Sequence, residues 1–217
     1  MATVGLKAFT IGLIDAKGNL ITGEKGLSTD GIFEVNAVTG KGATQANITG
    51  LAPTMTKIWG SDSLIDQEIG KVSPQVALGA NDLPHEIVDK ILGRKPEDGG
   101  QVAVNGTLPH AALLVTSHSK RDNAEVYFGF YDGFFTMSDK NMQTDTETAQ
   151  RSIDNLTFHA NYRANDGAPY VTFNQADKEF DRAKMLANVF PGYGGIGANQ
   201  PNGDKTDTAK VDSSHAY

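Results

Sequence analysis

Val126-Tyr127-Phe128-Gly129-Phe130-Tyr131-Asp132-Gly133-Phe134-Phe135-Thr136-Met137 is the stretch that decides the fold. Two aromatic runs flank an Asp-Gly pair, the dipeptide that tight hairpin loops favour because both central residues need positive φ. Downstream, Leu156, Phe158, Ala160 and Tyr162 alternate with Asn155, Thr157, His159, Asn161 and Arg163, which predicts a half-buried strand. Upstream, Ala111–Thr116 is apolar at every second and every adjacent position, as a central strand covered on both faces would be. Ser138–Ser152 reads as a polar surface loop. Asp166-Gly167 is a turn, and Tyr170–Phe173 is a short extended piece.

The N-terminal half continues the β pattern. Phe9, Ile11 and Leu13 share one face of a strand over Val4–Ile14, followed by a turn at Ala16-Lys17-Gly18-Asn19. A second strand is predicted over Ile32–Val38. Between Asn36 and Gly60 only Lys41 and Lys57 are charged, and the apolar residues Ile48, Leu51, Met55 and Ile58 are isolated. That composition predicts a long hairpin at about 36–60 projecting from the body. Such a hairpin, left bare on a monomer, would invite aggregation, so something is expected to cover it. Trp59–Val72 reads as a polar connection. A helix follows, with Asp82 as cap, Leu83-Pro84 at its start and Gly93 at its stop. Its stripe is Leu83, Ile87, Val88, Ile91 and Leu92, with Glu86 and Lys90 spaced to pair on the wet side. Pro96–Gly100 is a loop. A last helix is predicted over Ala176–Phe190, stopped by Pro191-Gly192, and residues 191–217 read as a flexible tail on a domain spanning residues 1–190.

Composition excludes whole classes of function. The 217 residues suit one domain with a full core. No cysteine is present, so disulfides, thiol catalysis and cysteine-ligated metals are ruled out. The 26 acidic residues outnumber the 19 basic ones, for a net charge of −7, and no Lys/Arg cluster offers a phosphate-binding patch. No apolar run approaches the roughly 20 residues of a membrane helix, and the N-terminus has no secretory-signal pattern. The 24 glycines point to many turns and bulges.

No motif selects a chemistry. Gly192-Tyr193-Gly194-Gly195-Ile196-Gly197 fits a dinucleotide fingerprint literally but follows a helix instead of a strand, so it reads as a linker. Gly40-Lys41-Gly42 lacks the rest of a phosphate loop. His85, His110, His118, His159 and His215 have no metal-ligand spacing, and no G-x-S-x-G elbow occurs. The acidic residues read as solvated charges. No catalytic, cofactor-binding or metal residue is assigned, and a structural or binding role is expected in place of an enzyme.

An ordered set of segments carries a family resemblance. Trp59-Gly60-Ser61-Asp62, Val76-Ala77-Leu78 leading into Asn81-Asp82-Leu83-Pro84-His85-Glu86, and Ile91-Leu92-Gly93 come first. Tyr127–Gly133, Asn155-Leu156-Thr157-Phe158, Arg163–Gly167 and Val189-Phe190 follow in order. Together, over residues 1–190, they resemble the major tail proteins, or tail tube proteins, of long-tailed bacteriophages of Gram-positive bacteria. The resemblance implies a mainly β fold: two packed antiparallel sheets in a tail-tube sandwich or barrel, with a flanking α-helix and a short C-terminal helix. It implies a structural virion protein, assembled in the host cytoplasm, whose copies form hexameric rings stacked into a hollow tail tube.

The implied partners are further copies of the chain, the tape-measure protein, and the tail terminator and distal tail proteins. DNA would pass during ejection without specific binding, and a neutral or acidic wall would suit that passage. No cofactor and no membrane are implied. By analogy Gly40–Lys57 is assigned to ring-to-ring packing, with Lys41, Gly42, Ala46, Ile48, Leu51 and Met55 as contact residues. The competing expectation is a monomeric β-sandwich that binds carbohydrate on an aromatic platform of Trp59, Tyr127, Tyr131 and Tyr170.

Overall fold

The computed structural model describes residues 3–104, 106–137, 139, 140, 142 and 153–194. Two antiparallel sheets pack face to face. The first contains β1 (Thr3–Leu13), β2 (Ile32–Val35), β9 (Ala111–Ser119), β10 (Glu125–Phe130) and β13 (Tyr170–Asn174), in the order β13-β10-β9-β1-β2. The second contains β3 (Ala43–Thr49), β6 (Gln75–Ala80), β11 (Gly133–Thr136) and β12 (Asp154–Ala160), in the order β11-β12-β6-β3. Two ribbons stand outside them: β4 (Met55–Gly60) with β5 (Ser63–Ile69), and β7 (Lys95–Glu97) with β8 (Gly100–Val102). The fold is mainly β, as the aromatic runs and alternating strands predict.

The sandwich core follows from the period-two pattern. Phe9, Ile11 and Leu13 of β1 and Leu113 and Val115 of β9 face Val76 and Leu78 of β6 and Leu156 and Phe158 of β12. Helix α1 (His85–Ile91) lays Ile87, Val88 and Ile91 into the same core. The other side of β9, at Ala112 and Leu114, is buried too, beneath α2 (Arg182–Val189), whose Met185 and Val189 pack there with Phe190. The expectation of a strand covered on both faces is met.

Several expectations shift for physical reasons. Asp132-Gly133 makes no hairpin. Both edges of β10 are already filled, by β9 and β13, so the chain crosses to the second sheet to form β11 against β12. Neither residue takes a positive φ. A Cβ on Gly133 would lie 2.3 Å from the His159 carbonyl oxygen, so glycine serves close packing there. The helix expected over Ala176–Phe190 starts six residues later, where the Asp181 side chain caps the amides of Ala183 (2.8 Å) and Lys184 (3.3 Å). At α1 the amide of Leu83 donates to Asp154 across the molecule (3.0 Å), and Asp82 pairs with Lys41. Lys90 bonds the carbonyls of Glu24 and Gly26 in place of Glu86. Gly93, at φ +64°, ends the helix as expected.

The largest shift concerns the hairpin expected at 36–60. Ala43–Thr49 is a body strand: it pairs with β6, and Ala46 and Ile48 pack against the core. The projecting ribbon is instead Met55–Ile69, which takes in most of the supposed polar connection. Its tip turns through Ser61 (φ +50°) and Asp62 (φ +61°), the two positive φ values of a type I′ turn. The ribbon is not weakly charged either, since it carries Lys57, Asp62, Asp66 and Glu68.

At the C-terminal boundary, Pro191–Gly194 is fastened to the body. The Leu20 amide donates to the Pro191 carbonyl (2.7 Å), and Tyr193 packs against the α2 cluster. The remainder of the expected tail, residues 195–217, and with it most of the glycine-rich motif, lies outside the described residues. So does most of the Ser138–Ser152 loop.

Candidate assembly interface

The β4–β5 ribbon is the most conspicuous surface feature. Antiparallel register sets Met55 opposite Ile69 at its base and Trp59 opposite Leu64 near its tip. Alternation along β4 places Met55 and Trp59 on one face. A register shift between Ile58 and Trp59 leaves Ile65 as the extra residue of a bulge. Met55 is 63% exposed, Trp59 65%, Ile65 67% and Ile69 71%. An isolated two-stranded ribbon is marginal in water, and so many large exposed apolar side chains on one ribbon mark it as a candidate contact site.

The sandwich also leaves a groove where its two sheets part. It encloses about 280 Å³ and is lined by Leu6 of β1, Ala46 and Ile48 of β3, Val115 of β9 and Phe128 of β10. Among the described residues, the outer strands β2, β13 and β3 each have one edge without a partner strand, while the outer edge of β11 makes an isolated bridge from Phe134 to His110. Unpaired edges of this kind are templates for strand addition from another chain.

The outward face of the second sheet is uncharged at its strand positions. On β3 and β6 the outward positions are Gln45, Asn47, Thr49, Gln75, Ala77 and Gly79. On β12 and β11 they are Asn155, Thr157, His159, Phe134 and Thr136. None is Asp, Glu, Lys or Arg. A Cβ on Gly79 would lie 3.4 Å from Gln45 Cβ and 3.6 Å from Asn155 Oδ1, so the neighbouring strands press close over it.

Under α2, by contrast, charges converge. The Glu125 carboxylate accepts hydrogen bonds from Lys7 Nζ and the Tyr127 hydroxyl, and Arg182 lies 4.0 Å away. Burial pushes the Glu125 carboxyl up, but the bonds from Lys7 and Tyr127 and the nearby cations outweigh it and hold the group below the usual carboxylate range. Burial, then the bond to Glu125, raises the Tyr127 hydroxyl to about 12. A cleft of about 490 Å³ lies at the turn after β1, where His110 Nδ1 and Asp132 Oδ1 are 2.7 Å apart and the Arg163 guanidinium sits 3.7 Å over the Tyr131 ring. No cluster of three or more His, Cys, Asp or Glu suited to a metal occurs among the described residues. No helix there is long and apolar enough to cross a membrane.

The six residues expected to make ring contacts do not gather. Met55 lies on the ribbon. Lys41 and Gly42 sit beside α1, where Gly42 accepts the Asn81 amide (3.2 Å). Ala46 and Ile48 face the core and groove, and Leu51 lies in the half-buried link between β3 and β4. Sequence reading placed no strand over Trp59, Leu64, Ile65 and Ile69, although the large apolar residues on both sides of Gly60-Ser61-Asp62-Ser63 were the available signal for the ribbon. The aromatic platform is not assembled. Tyr127 is 2% exposed and stacks on Phe180 (5.5 Å), Tyr131 is buried under Arg163, and Tyr170 packs on Phe130, which leaves Trp59 alone on the ribbon.

Compared with known families, residues 1–198 match the family described as phage tail tube protein. No curated protein matches the chain.

Proposed function

This chain belongs to the phage tail tube protein family, and from that premise we propose how a structural subunit of the virion tail builds its tube. Copies close side by side into hexameric rings by strand pairing at the outer edges of β3 and β11, the latter making within the protomer an isolated bridge from Phe134 to His110, and the rings stack into a hollow tube. The β4–β5 ribbon reaches a neighbouring copy and loses its exposed apolar surface there, with Met55, Trp59, Leu64, Ile65 and Ile69 as its contacts. Lys41 and Gly42, beside α1, lie away from that contact, Leu51 belongs to the link that leads into the ribbon, and Ala46 and Ile48 offer the groove to a neighbour.

The observation that carries this reading is the bare apolar ribbon on a body whose own core is complete. A ring stacked on a copy of itself makes a heterologous contact, which propagates into a filament until something caps it. Tail terminator and distal tail proteins supply the caps, and the tape-measure protein occupies the bore until DNA passes at ejection. Each interface is expected to bury more than about 1,000 Å². Electron microscopy of the purified chain, with sedimentation as the solution control, tests the proposal. Rings or hollow filaments of even width are expected. A chain that stays monomeric at high concentration, with its ribbon intact, would overturn it.

A further inference from the structure

We propose that residues 107–110 act as a guard on β11, holding its outer edge closed in the free protomer until the β3 strand of a second copy displaces them. This inference rests on the tube reading and adds to it how the chain regulates its own strand pairing.

The two outer edges of the second sheet are not alike. Among the described residues, β3 has no partner strand on its outer side. On β11 that side is occupied, by an antiparallel bridge from Phe134 to His110. Three further contacts fix His110 in place. Its carbonyl accepts the Ile14 amide (2.9 Å), its Nδ1 lies 2.7 Å from Asp132 Oδ1, and its ring tilts at 55° to that of Phe134 with centroids 4.5 Å apart. Pro109 precedes it in the chain. Proline brings no N–H to an edge and so blunts it against strand addition. Pro109 is braced from behind, because a Cβ on Gly93 would lie 2.8 Å from its Cδ. The β3 strand of one copy therefore meets a shielded edge on the next.

The guard is built to yield. It closes β11 at a single residue, whereas an added strand can pair along all four residues of Gly133–Thr136. The His110 and Asp132 side chains are 43% and 21% exposed, and surface pairs of that kind are weak. A contact within one chain loses no translational freedom, so it holds while copies are scarce. A neighbour already seated in a ring presents its β3 at high effective concentration, and the longer ladder then prevails. Strand β9 keeps its own place during the exchange, since its first residue, Ala111, pairs with Leu13.

The chain has no cysteine, so a reversible lock can be installed at the bridge. Opposed residues of an antiparallel pair lie about 4.5–5.5 Å apart at Cα, within the span of a disulfide. The double variant His110→Cys/Phe134→Cys is oxidised as a dilute monomer and then concentrated. It is expected to stay monomeric where wild type forms tubes, and to assemble once a reductant opens the lock. Electron microscopy and sedimentation read both states. Tubes from the oxidised protein, as readily as from the reduced one, would overturn the proposal.

Asp132→Ala supplies the opposite arm. Removing the partner of His110 is expected to lower the critical concentration for tubes about two- to fivefold, the weight of one surface pair. An unchanged or raised critical concentration would overturn the guard even if the disulfide blocks assembly, since a covalent link can also act by stiffening the sheet. If the reduced double variant itself fails to assemble, Asp132→Ala decides alone. Absence of tubes from wild type would refute the assembly reading instead, and the inference with it.

Discussion

Trp59 sits directly across the ribbon from Leu64, and both side chains, 65% and 41% exposed, lie outside the two core clusters. Because neither side chain supports the core, the double variant Trp59→Ser/Leu64→Ser is expected to unfold within about 0.5 kcal/mol of wild type. Its assembly should nevertheless be lost. Thermal denaturation and electron microscopy on one preparation check the two halves together, and normal tubes from the variant would count against the ribbon as contact.

The ribbon closes on itself at its neck, where the Gly70 amide donates to the Thr54 carbonyl (2.7 Å). Replacing residues 55–69 with a two-residue Asn-Gly link should therefore leave a folded monomer that does not polymerise. Deleting residues 41–56 is expected to behave differently, because it removes β3 and strips Ala46 and Ile48 from the core. Circular dichroism and sedimentation distinguish a folded monomer from a collapsed or aggregated chain.

Close packing of α2 depends on a missing side chain. A Cβ on Gly129 would lie 2.6 Å from Val189 Cγ2 and 3.1 Å from Val171 Cγ1. Gly129→Ala is expected to cost about 1–3 kcal/mol through overpacking. The urea midpoint should fall without a change in slope. An unchanged midpoint would mean that the helix rides over the sheet more loosely than these distances indicate.

Glu125 links β1, β10 and α2 through Lys7, Tyr127 and Arg182. Its carboxyl is depressed in the folded state, so its stabilisation is full above the ordinary carboxylate value of 4.5 and fades as pH falls through the lower folded value. Glu125→Gln should lose about 1–3 kcal/mol at neutral pH. The gap between variant and wild type should shrink on acidification below 4.5. Urea titrations at stepped pH follow that convergence, and a gap constant with pH would rule out the carboxylate's charge as its source.

The body of the fold was legible wherever alternation was strong. Phe9, Ile11 and Leu13, the run Ala111–Thr116 and the Leu156/Phe158 alternation all occupy the strands their spacing predicts. Partner choice was not legible. Asp132-Gly133 has hairpin chemistry, but β13 had taken the strand edge it needed, and no local pattern records that competition. The ribbon was misplaced for a related reason. Ala43–Thr49 is poor in large apolar residues, yet it gains its place from Val76 and Leu78 across the sheet, whereas Trp59–Ile69 forms strands with no core at all. The neutral face was equally hidden, because its residues come from four segments that meet only in the folded sheet.

Thr54 and Gly70 join the ribbon to a body that completes its core without it. Residues 55–69 can therefore change without loss of the sandwich. On the assembly proposed above, the grip of the ribbon on a neighbouring copy could be retuned while the protomer keeps its fold.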